Sequence, residues 1–466
     1  MKYLQNILII LFWLIVWHVA ALLVDNSILA VTPWDTLKAI ADLFKSEEFL
    51  TVIAGSMGRI WLGLFVAVIS GFVIGIFSYK VNLVERLMKP VVVSVKAIPV
   101  ASIVVLLLIW QGSEMLSVWI SFLISFPIIY TNIMEGMKST DKKLLEMAEV
   151  FGISAWNKIW YIYRPCVKGY ILGGMKLAAG MSVKAGVAAE IIGLPKNSFG
   201  ERLYMAKIYL ATEELFAWTV IIVVTAFVSE KLIVMLTDFM LKVHIPYGKR
   251  CYNRRKDMRK LKKATKSSAE NNNDTECVIR LTDISKKYGE NTVFSHLNME
   301  LKAGQKVGIM APSGRGKTTL FRIILGLEKA DTGTVKTKGR IAAVFQETLL
   351  CEKADLHTNM RITGASDEDI RTLTREIFSE EHLDKPVEAY SLGMKRRCSI
   401  IRALTREGDI LIMDEPFASI DDENRRRAAD VIRERTKDKT VIIFTHNEED
   451  ICLIGGSKLN IFNKIN

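Results

Sequence analysis

Cysteine is scarce and scattered. The six cysteines, Cys166, Cys251, Cys277, Cys351, Cys398 and Cys452, form no CxxC pair. That spacing excludes a disulfide-stapled secreted domain and a cysteine zinc site, and it fits reduced thiols. The six histidines show no HExxH or clustered pattern, so no structural metal site is expected. With 29 glycines and 10 prolines, the chain is neither collagen-like nor of low complexity. Charge is thin as well: 24% of the 466 residues are charged and 50% are hydrophobic, which excludes a disordered chain.

What is present is unevenly placed. Residues 1–248 hold nearly all the long apolar runs, 249–276 are basic and polar and read as a linker, and 277–466 have the composition of a cytosolic domain. Six apolar segments stand out: Leu4–Val24, Thr51–Phe77, Ile98–Ile109, Leu116–Met134, Ile171–Ile192 and Leu215–Leu241. A bilayer core takes about 20 residues of helix, so the short third segment, approached through Lys96 and Pro99, is expected to start as a cytosolic or interfacial helix and bend into the membrane. The first lacks a small-residue cleavage site and is read as a retained span.

Basic residues set the orientation. The loop 25–50 carries five acidic residues against Lys38 and Lys45 and reads as external. The loops 78–97 and 135–170 are rich in lysine and arginine and read as cytosolic, which puts both termini inside. The run from Lys249 to Lys266 is expected to lie against anionic lipid headgroups. It has no interleaved aromatic platform, so no nucleic-acid partner is expected. Glycines in the second and fifth segments allow close helix approach. Lys184 and Glu190 fall within the fifth; they either offset each other or snorkel, or they line a pathway through the membrane.

Before the fifth segment, Glu146-Met147-Ala148 is followed by Gly152, then Arg164-Pro165 and Gly174-Met175-Lys176-Leu177. This spacing describes a helix, a glycine turn and a second helix, a knob able to dock in a groove of a soluble partner. It resembles the coupling loop of bacterial ABC importer permeases, with Met147 in place of an alanine. The continuation through Val183–Leu194, Phe199-Gly200, Tyr209-Leu210 and Glu214–Trp218 is similar to the permeases for nitrate, taurine and alkanesulfonates, over about residues 30–243.

In the second half, the buried-strand pattern Gln305–Met310 runs into Ala311-Pro312-Ser313-Gly314-Arg315-Gly316-Lys317-Thr318-Thr319 and then a helical pattern. Strand, glycine-rich loop, Lys-Thr and helix make a P-loop, whose backbone N–H groups and helix N-terminus cradle phosphate. Ala311 stands where the first glycine is usual. Lys317 is expected to reach the β- and γ-phosphates of ATP and Thr318 to ligate Mg2+. Ile410–Met413 is a second buried strand, ending in Asp414 for the Mg2+ shell and Glu415 for polarising the attacking water.

The order of further motifs resembles ABC ATPases over about 277–466. The resemblance implies that Tyr288 stacks on adenine, Gln346 senses metal and water, His446 acts as a switch, and Asp421 in Ala418–Asp421 contacts the opposite subunit. The family signature Leu-Ser-Gly-Gly-Gln appears as Tyr390-Ser391-Leu392-Gly393-Met394. Ser391 and Gly393 are kept and would touch the nucleotide held by the other subunit; Leu392 and Met394 depart from the pattern. Only 29 residues separate Lys317 from Gln346 and 20 follow His446, so a shortened hairpin and no C-terminal regulatory domain are expected.

The expected fold is thus an α-helical six-span membrane domain followed by an α/β P-loop ABC ATPase domain. The expected function is ATP-driven import, across a bacterial plasma membrane, of a small polar or anionic solute of the sulfonate, taurine, nitrate or vitamin-precursor class. If Ser391 acts in trans, as the resemblance implies, a second copy of the same chain is expected to complete the site. The resemblance also implies an external solute-binding protein. An exporter, which would lack the Glu146–Gly152 knob, and a weakly hydrolysing membrane regulator are the alternatives.

Overall fold

The computed structural model describes residues 2–24, 26, 29–242, 277–312, 314–378 and 385–461. The linker 249–276 and Ser313 lie outside the described residues. The chain divides into two compact units, Met1–Thr140 with Cys166–His244, and Asp141–Pro165 with Ile245–Asn466. The segment 141–165 therefore packs with the second half of the chain.

The membrane unit is helical: α1 (Lys2–Val24), α2 (Pro33–Lys45), α3 (Phe49–Lys80), α4 (Asn82–Ala97), α5 (Val100–Gln111) and α6 (Leu116–Lys138). After α7 (Lys142–Val150) and α8 (Ala155–Asn157), which belong to the other unit, come α9 (Arg164–Gly193), α10 (Phe199–Ile208) and α11 (Thr212–Lys242). Among the described residues, α1, α3, α6 and α11 are long and apolar enough to cross a membrane, and α4 with α5, bent by 102°, brings the number to five at most. The bend falls at Pro99, where the missing N–H and the restriction on the preceding residue end α4. The fifth apolar segment lies in α9, which is long enough to span but is diluted by lysines and glycines.

Helix α3 lies close against α6 because small residues line the contact. A Cβ at Gly63 would sit 2.2 Å from the Val118 carbonyl oxygen, and one at Gly71 2.8 Å from the Ile129 side chain. Gly200, at the start of α10, is tighter still, since a Cβ there would lie 2.1 Å from the Glu190 carbonyl carbon. Backbone cannot yield as a flexible side chain can, so Gly200→Ala is expected to displace α10 and destabilise the unit by about 1–3 kcal/mol. Thermal melting of the detergent-solubilised chain checks this. Gly58→Ala is the control, because its added Cβ meets nothing within 4 Å and should leave the melting temperature in place.

The second unit holds a three-stranded antiparallel sheet and a five-stranded parallel one. Strands β1 (Cys277–Tyr288), β2 (Asn291–Lys302) and β4 (Thr332–Thr337) form the first, in the order β2-β1-β4. Strands β3 (Lys306–Met310), β5 (Ile341–Val344), β6 (Ile410–Asp414), β7 (Thr440–Thr445) and β8 (Ser457–Leu459) form the second, in the order β5-β6-β7-β3-β8. Helices α12 (Lys317–Ile324), α13 (Leu356–Arg361), α14 (Asp367–Ile377), α15 (Leu392–Leu404), α16 (Asp422–Arg435) and α17 (Glu448–Leu453) are distributed along the same stretch.

The central strands β6 and β7 are buried along their whole length and read as near-continuous apolar runs because both faces are covered. Along β6, Ile410 and Ile412 enter one core while Leu411 and Met413 enter the other; along β7, Ile442 and Phe444 alternate with Val441 and Ile443 in the same way. The register pairs Asp414 with Phe444 and Met310 with Thr445, so the polar residues that follow these strands gather at one sheet edge.

Candidate functional site

That edge is the carboxyl end of a parallel sheet, where ligands of open α/β folds bind. Strand β3 delivers the chain into the glycine-rich loop. Gly314 and Gly316 have φ of 82° and 87°, a left-handed conformation that glycine adopts freely, and Gly316 precedes α12. The Lys317 ammonium folds back to the Ala311 carbonyl and lies 3.9 Å from Glu415 Oε1. The Thr318 hydroxyl donates to Asp414 Oδ2 at 3.0 Å.

Asp414 is 1% exposed, and burial pushes its carboxyl up to about 6. A hydroxyl and a buried carboxylate side by side are oxygen ligands suited to Mg2+, and a divalent cation would offset the cost of ionising Asp414. Glu415 follows with φ 47°, unusual for a residue with a side chain, and its N–H is held by the Phe444 carbonyl at 2.8 Å. His446 Nδ1 lies 2.9 Å from Glu415 Oε1. Thr445 Oγ1 reaches the same carboxylate at 3.5 Å and donates to Asp450 at 2.7 Å. Lys317, Thr318, Asp414, Glu415 and His446 are thus one connected cluster.

The other sequence-derived residues surround it in different ways. Gln346 is exposed just beyond β5, beside the end of β6. Tyr288 is half exposed at the end of β1, with its hydroxyl on Glu328 and Thr319 among its neighbours. Ser391 caps α15 by accepting from the Met394 N–H. A Cβ on Gly393 would come 2.6 Å from the Ser419 carbonyl oxygen, so this glycine permits the signature turn to rest on the 419–421 loop. Leu392, at the first position of α15, is 56% exposed. Asp421 caps α16 through the Asn424 N–H at 3.0 Å.

The segment 141–165 joins this unit through both core and charge. Met147, Ala148 and Phe151 are fully buried in the core that also holds Phe321 and Phe345. Gly152 makes the turn with φ 59°. Glu146 accepts two hydrogen bonds of 2.8 Å from the Arg322 guanidinium on α12, which holds its carboxyl below the usual range. Lys143 pairs with Glu347, and Arg406 donates to the Phe151 carbonyl.

Several of these partners escape a motif search. Arg396 and Arg402 are buried on α15 and donate to the carbonyls of Phe345, Gln346, Leu349 and Thr348, clamping the segment that follows β5. Arg322 had a local signal: Leu320, Phe321, Ile323 and Ile324 bury one side of α12 and leave Arg322 on the other.

In the membrane unit, Lys184 and Glu190 are not brought together. Glu190 is fully buried and accepts from Ser56 at 2.7 Å and Ser117 at 3.1 Å, with Arg59 Nε at 3.6 Å. Lys184 faces outward.

Comparison with known proteins is consistent with this geometry. Residues 294–418 match the family described as ABC transporter, and residues 49–245 match the binding-protein-dependent transport system inner membrane component. An aliphatic sulfonates import ATP-binding protein of Granulibacter bethesdensis is 30% identical over 183 residues, covering 38% of this chain and 76% of that protein. A sulfate/thiosulfate import ATP-binding protein of Nephroselmis olivacea is 30% identical over 207 residues, 40% of this chain and 60% of that protein. An Fe(3+) ions import ATP-binding protein of Escherichia coli strain K12 is 30% identical over 40% of this chain and 59% of its own length. The chain therefore spans about three-fifths of the length of the last two relatives.

Proposed function

The chain belongs to the ABC transporter family, and from that premise we propose that it is an ATP-driven importer, with permease and ATPase fused, for a small polar solute. The observation that carries the reading is the Glu146–Arg322 pair. Arg322 stands on the helix that Lys317 begins, so the segment connecting two membrane helices is tied to the P-loop helix by a charge-assisted double hydrogen bond.

The full membrane part is read as six spans, with α9 as the fifth and both termini in the cytoplasm. Ser391 and Gly393 lie at the helix start that would meet nucleotide across a dimer, so two copies of the chain are needed for two complete sites. An external solute-binding protein delivers the solute. ATP, by favouring the closed ATPase dimer, biases the membrane part between outward-open and inward-open states.

In hydrolysis, Lys317 neutralises the phosphates and Glu415 orients and polarises the attacking water, with His446 fixing the Glu415 carboxylate from outside. Thr318 and Asp414 would hold Mg2+, with Gln346 near it. When bound, Mg2+ supplies charge neutralisation on the β- and γ-phosphate oxygens.

The test is ATP hydrolysis by the full chain in lipid vesicles, with Mg2+ varied and then chelated. Hydrolysis is expected to stop on chelation; activity that survives it overturns the reading. Protons and the cation compete for Asp414, so the Mg2+ concentration needed should fall as pH rises through about 6. Asp414→Asn should flatten that dependence. The sign for folding without the cation is opposite: protonated Asp414 favours the fold below the ordinary carboxylate range, and that contribution is lost as pH rises through about 6.

A further inference from the structure

Packing of the membrane unit leaves one face of α9 open. Leu177, Met181, Lys184, Ala188 and Ile191 are exposed and recur every three or four residues, so they form a single stripe along the helix. The stripe continues toward the helix start, since a Cβ at Gly173 would meet nothing within 4 Å. The other face is spent on the bundle, with Ala178, Ala179, Val183 and Val187 buried against neighbouring helices.

Lys184 sits in the middle of the open stripe. The other charges of the apolar stretch are accounted for: Lys176 lies 3.9 Å from Glu230 on α11, and Glu190 is turned inward to Ser56, Ser117 and Arg59. Lys184 has no ion-pair or hydrogen-bond partner among the described residues. Nine residues, about 14 Å of helix, separate it from the end of α9 at Gly193, more than a lysine stem spans. An unpaired ammonium at that depth is expensive against lipid and stable against water or an anion.

We propose that this stripe lines an aqueous translocation path and that Lys184 is the group in it that selects an anionic solute. The assignment rests on the import reading and narrows its substrate class to small anions. Across a two-fold axis the two copies would present a pair of ammonium groups, the arrangement by which basic side chains favour anions in a pore.

The test needs no knowledge of the natural solute. Ala188, one turn from Lys184 on the same stripe, is replaced by cysteine in a full-length chain whose accessible native cysteines are serine; buried Cys351 and Cys398 are kept. In membrane vesicles the cysteine is reacted with two impermeant reagents, the anionic methanethiosulfonate ethylsulfonate and the cationic methanethiosulfonate ethyltrimethylammonium. Both are expected to react. Their rate ratio should fall about tenfold on Lys184→Gln, the opposite effects of one unit charge on the two reagents in water, and should be kept by Lys184→Arg.

Absence of reaction with either aqueous reagent, with and without ATP, overturns the proposal. So does a rate ratio that Lys184→Gln leaves unchanged. If the parent chain fails to hydrolyse ATP while the charge preference holds, the import reading falls, and what stands is that Lys184 sets the charge preference of a water-exposed stripe. If hydrolysis is intact and the preference absent, only the assignment falls.

Discussion

Replacing Glu415 by Gln lowers ATP turnover of the purified chain in lipid by about 100-fold or more. The two side chains have nearly the same shape, so the variant tests the charge alone. The carboxylate lies 3.9 Å from the Lys317 ammonium and 2.9 Å from His446 Nδ1, at the sheet edge where Thr318 donates to Asp414. An amide in that place still fills the space, but it cannot draw a proton from water.

The backbone argues in the same direction. Glu415 is held at φ 47° by the bond from its N–H to the Phe444 carbonyl, a conformation that costs of order 1–3 kcal/mol and persists because β6 and β7 impose it. That strain aims the carboxylate across the sheet edge. ATP affinity, which depends on Lys317 and the loop N–H groups, should change by far less than turnover. A parent rate indistinguishable from that of Glu415→Gln, measured in lipid with Mg2+, would remove the active-pump reading and favour a nucleotide-binding regulator, the reading that Leu392 and Met394 at the signature turn keep open.

What was legible in the sequence was what is local. The P-loop announces itself because phosphate binding needs a strand, a glycine turn and a helix within a dozen consecutive residues, and Asp414-Glu415 announces itself as carboxylates ending an apolar strand. The bend before the third apolar segment followed from Lys96 and Pro99. Partnerships across long separations were not legible. Ser56 and Ser117, which hold the buried Glu190, lie 134 and 73 residues from it, and nothing in either serine distinguishes it from a surface hydroxyl.

Sequence proximity could also mislead. Lys184 and Glu190 are six residues apart, which on a helix turns them roughly 120° from each other, so the bundle buries one and exposes the other. Composition also works against α9 as a span: lysines and glycines lower its hydropathy, although its length is sufficient. Arg396 and Arg402 belong to the same class of hidden function, because a buried arginine is recognised only when the carbonyls it serves are placed beside it.

Breaking the Glu146–Arg322 pair should separate hydrolysis from movement of the membrane part. The chain carries its own reporter: all nine tryptophans precede residue 219 and none lies in 277–466, so intrinsic emission reads the membrane helices and the 141–165 segment while the ATP-binding domain is silent. In the parent protein ATP is expected to change that emission. Glu146→Ala removes both 2.8 Å hydrogen bonds yet leaves Arg322 its 3.3 Å contact with Glu328, so the P-loop helix keeps a compensated charge. ATP binding should therefore shift by less than about threefold, while the bias that ATP places on the membrane part falls by about 1–3 kcal/mol, and the emission change largely disappears. Met147, Ala148 and Phe151 remain buried in the shared core and keep the segment attached, so the loss is one of transmission rather than of folding. The exchanged double variant, Glu146→Arg with Arg322→Glu, should recover part of the response. Recovery is incomplete because the reversed carboxylate would then face Glu328. An emission change of parental size in Glu146→Ala would show that the apolar core of the segment carries the coupling without the ion pair.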